Sequence, residues 1–139
     1  MMRYIIYLLF INFIFSESRY INSVTIKGNF SIDKNEILKI INTKNPKIFF
    51  KDIFNSRKLY LDKISIKNYY RSLGYLEANI DYEINELSNK EINIIFNIEE
   101  GKQYFLSKIE LYGNNLFSYD YLMKILNLVN GNIFNPIQL

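Results

Sequence analysis

The feature that most constrains this chain is an internal repeat. The segment VTIKGN at 24–29 returns as IELYGN at 109–114, a spacing of 85 positions between the two glycines, Gly28 and Gly113. The same spacing relates the helix-like segment ILKIIN at 37–42 to LMKILN at 122–127. A recurring strand, Gly-Asn turn and amphipathic helix indicates a tandem array of small modules rather than one compact enzyme.

The second copy of the repeat is much shorter than the first. The sequence reaches Leu139 only a short way beyond the second helix-like segment. We therefore expect one complete module at residues 19–101, the start of a second module at 102–139, and a sequence that is a fragment of a longer protein.

The composition is that of a folded protein without the usual catalytic side chains. Hydrophobic residues make up 49% of the 139 positions, which is enough for a packed core. The chain has no Cys and no His, which excludes thiol catalysis, His acid–base catalysis and zinc sites built on these residues. The net charge is only +3 and the charges are scattered. We expect no enzyme, no cofactor or metal, and neither nucleic acid nor a small molecule as partner.

The first 18 residues have the three-part form of a secretory signal peptide. Arg3 precedes an apolar run over 5–15, and Ser16-Glu17-Ser18 places small residues where a signal peptidase cleaves. The apolar run is shorter than the roughly 20 residues of a membrane-spanning helix. We expect export and cleavage after Ser18; the alternatives are an uncleaved anchor and a buried first helix.

The first module begins with a strand and a helix. The strand is predicted at 21–27 and ends at the turn Gly28-Asn29. A helix follows Asp33, whose side chain can cap the first turn, and Glu36 occupies the capping-box position three residues later. Pro46 disfavours helical geometry in the residue before it, so we expect the helix to end at 44–46.

A second helix and a hairpin complete the module. The helix is predicted from about Arg57 to Leu73, although Asp62 falls where the helical period requires an apolar residue. Strict alternation over 76–84 predicts a strand with one apolar and one polar face, and Ile92, Ile94, Phe96 and Ile98 predict a further strand over 92–99. Asp62, Glu99 and Glu100 form no metal-binding or catalytic pattern, and we interpret them as surface or turn charges.

These elements predict an α+β fold. Two helices on one face of a three-stranded mixed sheet bury both helical stripes and the apolar face of each strand. The other face of the sheet is then exposed to water.

The order of elements and a set of motifs resemble the POTRA (polypeptide-transport-associated) domains of the outer-membrane β-barrel assembly family. The most specific piece is KLYLDKISIKNYYRSLGYLEANI at 58–80, with its Tyr pair, its Gly-Tyr step and Ala78 in the following strand. IFNIEEG at 95–101 resembles the last strand of such a domain. The motif residues, to which we assign structural roles, are Gly28, Asn29, Tyr69, Tyr70, Gly74, Tyr75, Gly101, Gly113 and Asn114.

The resemblance implies a function in the periplasm. Family members hold unfolded outer-membrane proteins or assembly-complex subunits, and a C-terminal β-barrel, missing from this sequence, attaches them to the outer membrane. An exposed sheet edge accepts an added strand through its unpaired backbone groups. The candidate edge consists of Leu76, Glu77, Ala78, Asn79, Ile80, Asp81, Tyr82, Glu83 and Ile84.

Three alternatives stay open at this point. The module could belong to a secretion pore that exports one dedicated partner, or to a division-type membrane protein with a single such module. It could also act as a spacer between other modules without binding a client.

Overall fold

The computed structural model describes residues 18–47, 50–127 and 129–137. The predicted signal peptide lies outside these residues except for its last position, Ser18. The elements are β1 (Tyr20–Lys27), α1 (Lys34–Ile40), α2 (Ser56–Ser72), β2 (Asn79–Glu86), β3 (Glu91–Glu99) and α3 (Tyr119–Leu126). The predicted order of strand, helix, helix, strand and strand, and with it the α+β class, is confirmed.

The three strands form one mixed sheet in the order β1-β3-β2. The central strand β3 pairs in parallel with β1, where Val24 lies beside Ile94, and antiparallel with β2, where Tyr82 lies beside Phe96. A bulge between Ile21 and Ser23 shifts the register of β1. Because β3 is central, β1 and β2 are the two edges of the sheet.

One face of the sheet and the inner sides of α1 and α2 form a single core, as the alternation predicted. Its largest members are almost fully buried: Ile21, Ile37, Ile41, Leu59, Ile66, Tyr70, Ile80, Ile92, Ile94 and Phe96. The opposite face is polar, and there Asn93 Oδ1 accepts a hydrogen bond from Ser23 Oγ at 2.7 Å.

The turn after β1 requires glycine for two reasons. Gly28 has a φ of 78°, in the left-handed region that other residues rarely adopt. A Cβ atom at this position would lie 2.0 Å from the carbonyl oxygen of Ile98. The turn therefore packs directly against the end of β3.

Asp62 is a core residue, and its interpretation as a surface charge was wrong. Its side chain is fully buried. Oδ1 accepts a hydrogen bond from the backbone N–H of Asn42 and Oδ2 from that of Thr43, both at 2.7 Å. The polar residue in the apolar stripe of α2 thus holds the chain that leaves α1, and α1 ends at Ile40, before the predicted 44–46.

Two other carboxylates also differ from expectation. Glu36 accepts a hydrogen bond from the hydroxyl of Tyr69 at 2.9 Å instead of closing a capping box, although Asp33 caps α1 as predicted. Glu100 is half-buried rather than a plain turn charge. It accepts bonds from the N–H of Ser31 at 2.9 Å and from the hydroxyl of Tyr70 at 3.0 Å.

The second copy of the repeat forms its turn and helix but not its strand. Within the described part of the chain, residues 109–112 are not in a strand, which corrects the prediction. Residues 104–106 instead lie beside 132–134, where the N–H of Leu106 donates to the carbonyl of Asn132 at 2.8 Å. Among the described helices, none is long and apolar enough to cross a membrane.

Candidate functional site

The candidate edge, β2, is an outer strand of the sheet. The strand begins at Asn79 and runs to Glu86, so it starts and ends later than predicted. Leu76, Glu77 and Ala78 lie before it in a turn, where the N–H of Ala78 donates to the carbonyl of Tyr75 at 3.2 Å. The site is therefore the outer side of Asn79–Glu86.

The register of the hairpin shows which backbone groups face outward. The N–H of Leu87 donates to the carbonyl of Glu91 at 2.9 Å, so Leu87 and Glu91 form a hydrogen-bonded pair. Hydrogen-bonded pairs alternate along antiparallel strands, so the odd-numbered residues of β2 face β3. The N–H and C=O groups of the even-numbered residues, Ile80, Tyr82, Ile84 and Glu86, point away from the sheet.

The other edge, β1, is covered by the connection between α1 and α2. The N–H of Val24 donates to the side-chain oxygen of Asn45 at 2.7 Å, and that of Ile21 to the carbonyl of Asp52 at 2.9 Å. The N–H of Phe54 donates in return to the carbonyl of Arg19 at 2.8 Å. Edge β1 is thus partly occupied by bonds within the molecule, and β2 is the candidate edge for accepting another strand.

Two charged side chains meet across the middle of β2. Asp81 Oδ1 accepts the outward N–H of Tyr82 at 2.9 Å and lies 3.2 Å from Lys63 Nζ, which reaches over from α2. These two bonds lower the pKa of Asp81. We call this arrangement of Lys63, Asp81 and Tyr82 the edge clasp. The sequence offered no indication of it, since Lys63 lies on α2 and the other two residues lie on β2.

The two sides of β2 differ in character. On the open face, Glu83 accepts a hydrogen bond from the side-chain amide of Asn97 at 2.7 Å. On the core side, Tyr82 and Ile84 are half-buried, and the Tyr82 ring meets Phe96 edge-on with centroids 6.3 Å apart. An added strand would therefore find polar and charged neighbours on one side and partly exposed apolar ones on the other.

The motif tyrosines belong to the core rather than to the edge. Tyr70 is fully buried, and burial together with its hydrogen bond to Glu100 raises the pKa of its hydroxyl. The ring of Tyr75 packs edge-on against it at 5.7 Å, and Tyr69 is half-buried beside α1.

The motif glycines lie at turns. All have positive φ: Gly28, Gly74, Gly101 and Gly113. The carbonyl of Gly74 accepts the N–H of Tyr104 at 2.9 Å, and a Cβ atom there would lie 2.7 Å from the Tyr104 carbonyl oxygen. Gly74 therefore ends α2 and also lets the following segment approach it closely. Asn29 and Asn114 each bond a nearby carbonyl within their turns.

Comparison with known proteins identifies the same architecture. The sequence profile of the POTRA family, described as a surface antigen variable number repeat, matches residues 19–101. The structure of POTRA domains 3–5 of BamA from Haemophilus influenzae superimposes with a TM-score of 0.61 at 20% identity, over 87% of this chain and 50% of that one. At this identity the likeness concerns the fold.

Two curated relatives are outer-membrane assembly proteins by name. A putative outer membrane protein assembly factor of Treponema pallidum is 23% identical over 84% of this chain and 15% of its own length. The outer membrane protein assembly factor BamA of Buchnera aphidicola is 30% identical over 81% of this chain and 19% of its own length. The chain thus spans less than a fifth of the length of either relative.

Proposed function

The chain belongs to the POTRA family of surface antigen variable number repeats, and from this premise we propose that its first module binds extended polypeptide segments by strand addition to β2. The segments would be unfolded outer-membrane proteins or strands of partner subunits. The binding would assist insertion of β-barrel proteins into the outer membrane, without catalysis.

The observation that carries this proposal is the difference between the two edges of the sheet. The outward N–H groups of β1 at Ile21 and Val24 are bonded within the molecule, whereas those of Ile80 and Ile84 in β2 have no bond to another described segment. Unpaired backbone groups on an edge strand are the basis of recognition by strand addition. Because the backbone supplies most of this affinity, such a site tolerates many client sequences.

The names of the relatives support a role in outer-membrane assembly. They are named as assembly factors, and each is several times longer than the matched segment. We accordingly propose that this chain is the periplasmic part of a longer protein, that residues 1–18 direct its export, and that the rest of that protein attaches it to the outer membrane.

Proline at an outward-facing position tests strand addition. Ile84 is half-buried and its N–H points away from the sheet, so Ile84→Pro removes an available donor without removing a bond to β3. We expect this variant to bind an unfolded β-barrel peptide at least about tenfold more weakly. Fluorescence anisotropy of a labelled peptide measures the affinity, and circular dichroism verifies the fold.

The matched control is Ile84→Ala, which shortens the same side chain and keeps the N–H. A loss of affinity in the proline variant that clearly exceeds the loss in the alanine variant supports pairing through the backbone. Equal affinities of a folded Ile84→Pro variant and the unchanged protein would contradict strand addition at β2.

A further inference from the structure

We propose that β2 selects extended segments in which apolar residues alternate with basic residues, the basic side chains lying on the open face of the sheet. The inference rests on the proposed strand addition and concerns which segments bind. It follows from the opposite charges on the two sides of the edge.

The open-face side of β2 is acidic. Asp81 and Glu83 lie two positions apart on this face, and Asp81 leaves 72% of its side chain exposed. Glu99 on β3 lies on the same face, directly opposite Asn79. The side-chain amide of Asn79 donates a hydrogen bond to the Glu99 carboxylate at 3.4 Å. In a sheet, side chains of directly opposite residues interact, and opposite charges are favourable. An added strand with Lys or Arg facing Asp81 and Glu83 satisfies this condition.

The α2 side of β2 is basic and apolar. Lys63 reaches the edge itself, and Lys67 lies one helical turn further along the same side of α2. The ring of Tyr82 lies beneath Lys63, whose Nζ is 5.9 Å from the ring centroid, and both Tyr82 and Ile84 are half-buried. Basic residues pointing to this side would meet like charge, whereas apolar residues would cover Tyr82 and Ile84. These contacts determine which residues of the bound segment lie on the open face and which lie on the α2 side.

The edge clasp gives the basic residue a specific position. Asp81 Oδ1 holds the N–H of Tyr82 at 2.9 Å, so a strand cannot pair with that N–H until the carboxylate turns away. A basic side chain opposite Asp81 would take the place of Lys63 Nζ, now 3.2 Å away, and draw the carboxylate onto the open face. The same step then releases the N–H of Tyr82 for pairing. An acidic residue at this position offers no such exchange.

The net charge of the protein would favour the opposite preference. The chain carries +3, so its overall field attracts acidic peptides more than basic ones. A preference for the basic peptide must therefore come from the local carboxylates of the edge and not from the net charge.

Two peptides of identical apolar residues and length test the inference. In one, the alternate positions are Lys and Thr; in the other, they are Glu and Thr. We expect the Lys peptide to bind about three- to tenfold more tightly at low ionic strength, and the difference to shrink in about 0.5 M NaCl. Fluorescence anisotropy of the labelled peptides with the purified protein gives both affinities.

The double variant Asp81→Asn with Glu83→Gln keeps the shape of both side chains and removes their charge. We expect it to lose the preference for the Lys peptide. The matched control, Glu110→Gln with Asp120→Asn, removes two exposed carboxylates from the second copy of the repeat. This control should keep the preference for the Lys peptide.

The possible outcomes separate the two proposals. If both peptides bind equally, or the Glu peptide binds better, the charge selection is wrong and strand addition stands. If the control variant loses the preference as the Asp81 and Glu83 variant does, the selection does not arise at this edge. If neither peptide binds, both proposals are overturned.

Discussion

After β1 the chain turns at Gly28 with a φ of 78°, and in the second copy it turns at Gly113 with a φ of 76°. In both turns the next residue uses its side-chain amide to donate to the carbonyl three positions ahead, Asn29 at 3.0 Å and Asn114 at 3.4 Å. The two turns are therefore the same structure, made 85 positions apart from only a few neighbouring residues.

The helices that follow agree as well. Asp33 caps α1 by accepting the N–H of Asn35, and Ser118 caps α3 by accepting the N–H of Tyr121. Aspartate and serine are both favourable N-cap residues, so the substitution between the copies preserves the function of the position. Turn, cap and helix are thus determined locally.

The copies differ where structure depends on distant residues. Ile37 of α1 is fully buried, whereas its counterpart Leu122 in α3 is only half-buried, and α3 has no fully buried residue. Residues 24–27 form a strand, and the equivalent residues 109–112 do not.

The physical reason for this difference is pairing. β1 obtains its strand bonds from β3, whereas within the described residues no strand lies beside 109–112. A strand bonds to a neighbour, whereas a helix bonds to itself, so the helix forms in both copies and the strand only in the first.

The largest expected effect tests burial at equivalent positions of the two copies. Ile37→Ala removes a fully buried side chain and should lower the free energy of unfolding by about 2–5 kcal/mol. Leu122→Ala should change it by less than about 1 kcal/mol, because Leu122 is half-exposed. Urea unfolding followed by circular dichroism gives both values. Similar losses in the two variants would mean that α3 contributes to the same core as α1.

A smaller effect should follow from removing the buried contact between Asp62 and the end of α1. Asp62→Ala leaves the buried N–H of Thr43 and the N–H of Asn42 without their acceptor, and should cost about 2–4 kcal/mol. The residue equivalent to Asn42 is Asn127, which instead adopts a left-handed conformation with a φ of 52°.

The isosteric variant Asp62→Asn serves as the control for the Asp62 prediction. It keeps one acceptor oxygen and should lose less stability than the alanine variant. If Asp62→Ala unfolds at the same urea concentration as the unchanged protein, the bonds to Asn42 and Thr43 do not hold the end of α1.

The sequence predicted the locally determined elements of the fold and failed where an element depends on distant residues. The elements of the first module were predictable because the apolar period of β3 and of α2, and the cap at Asp33, are properties of neighbouring residues. The strand at 109–112 was predicted wrongly because its pattern matches β1 while strand formation also requires a partner. Local pattern and tertiary pairing are separate requirements.

The location of the candidate edge strand was predictable, but its detailed geometry was not. Alternation identified β2, yet its start at Asn79 depends on the turn bond between Ala78 and Tyr75. Asp62 was misjudged because its partners are backbone N–H groups, which no side-chain pattern reveals. The edge clasp joins Lys63 to Asp81 through tertiary contact alone, so only the structure could bring these two residues together.

The smallest expected effect tests whether the helix caps of the two copies act locally. Asp33→Ala should lower the unfolding free energy of the first module by about 0.5–2 kcal/mol, since α1 packs in the core. Ser118→Ala should reduce the helix population of α3, measured by Cα chemical shifts in NMR, and leave the unfolding of the first module unchanged. The exchanged caps, Asp33→Ser and Ser118→Asp, should preserve both helices because either side chain accepts the same type of hydrogen bond. A loss of module stability in Ser118→Ala as large as in Asp33→Ala would show that the second turn and helix are coupled to the first core, and the two copies would then not be independent local structures.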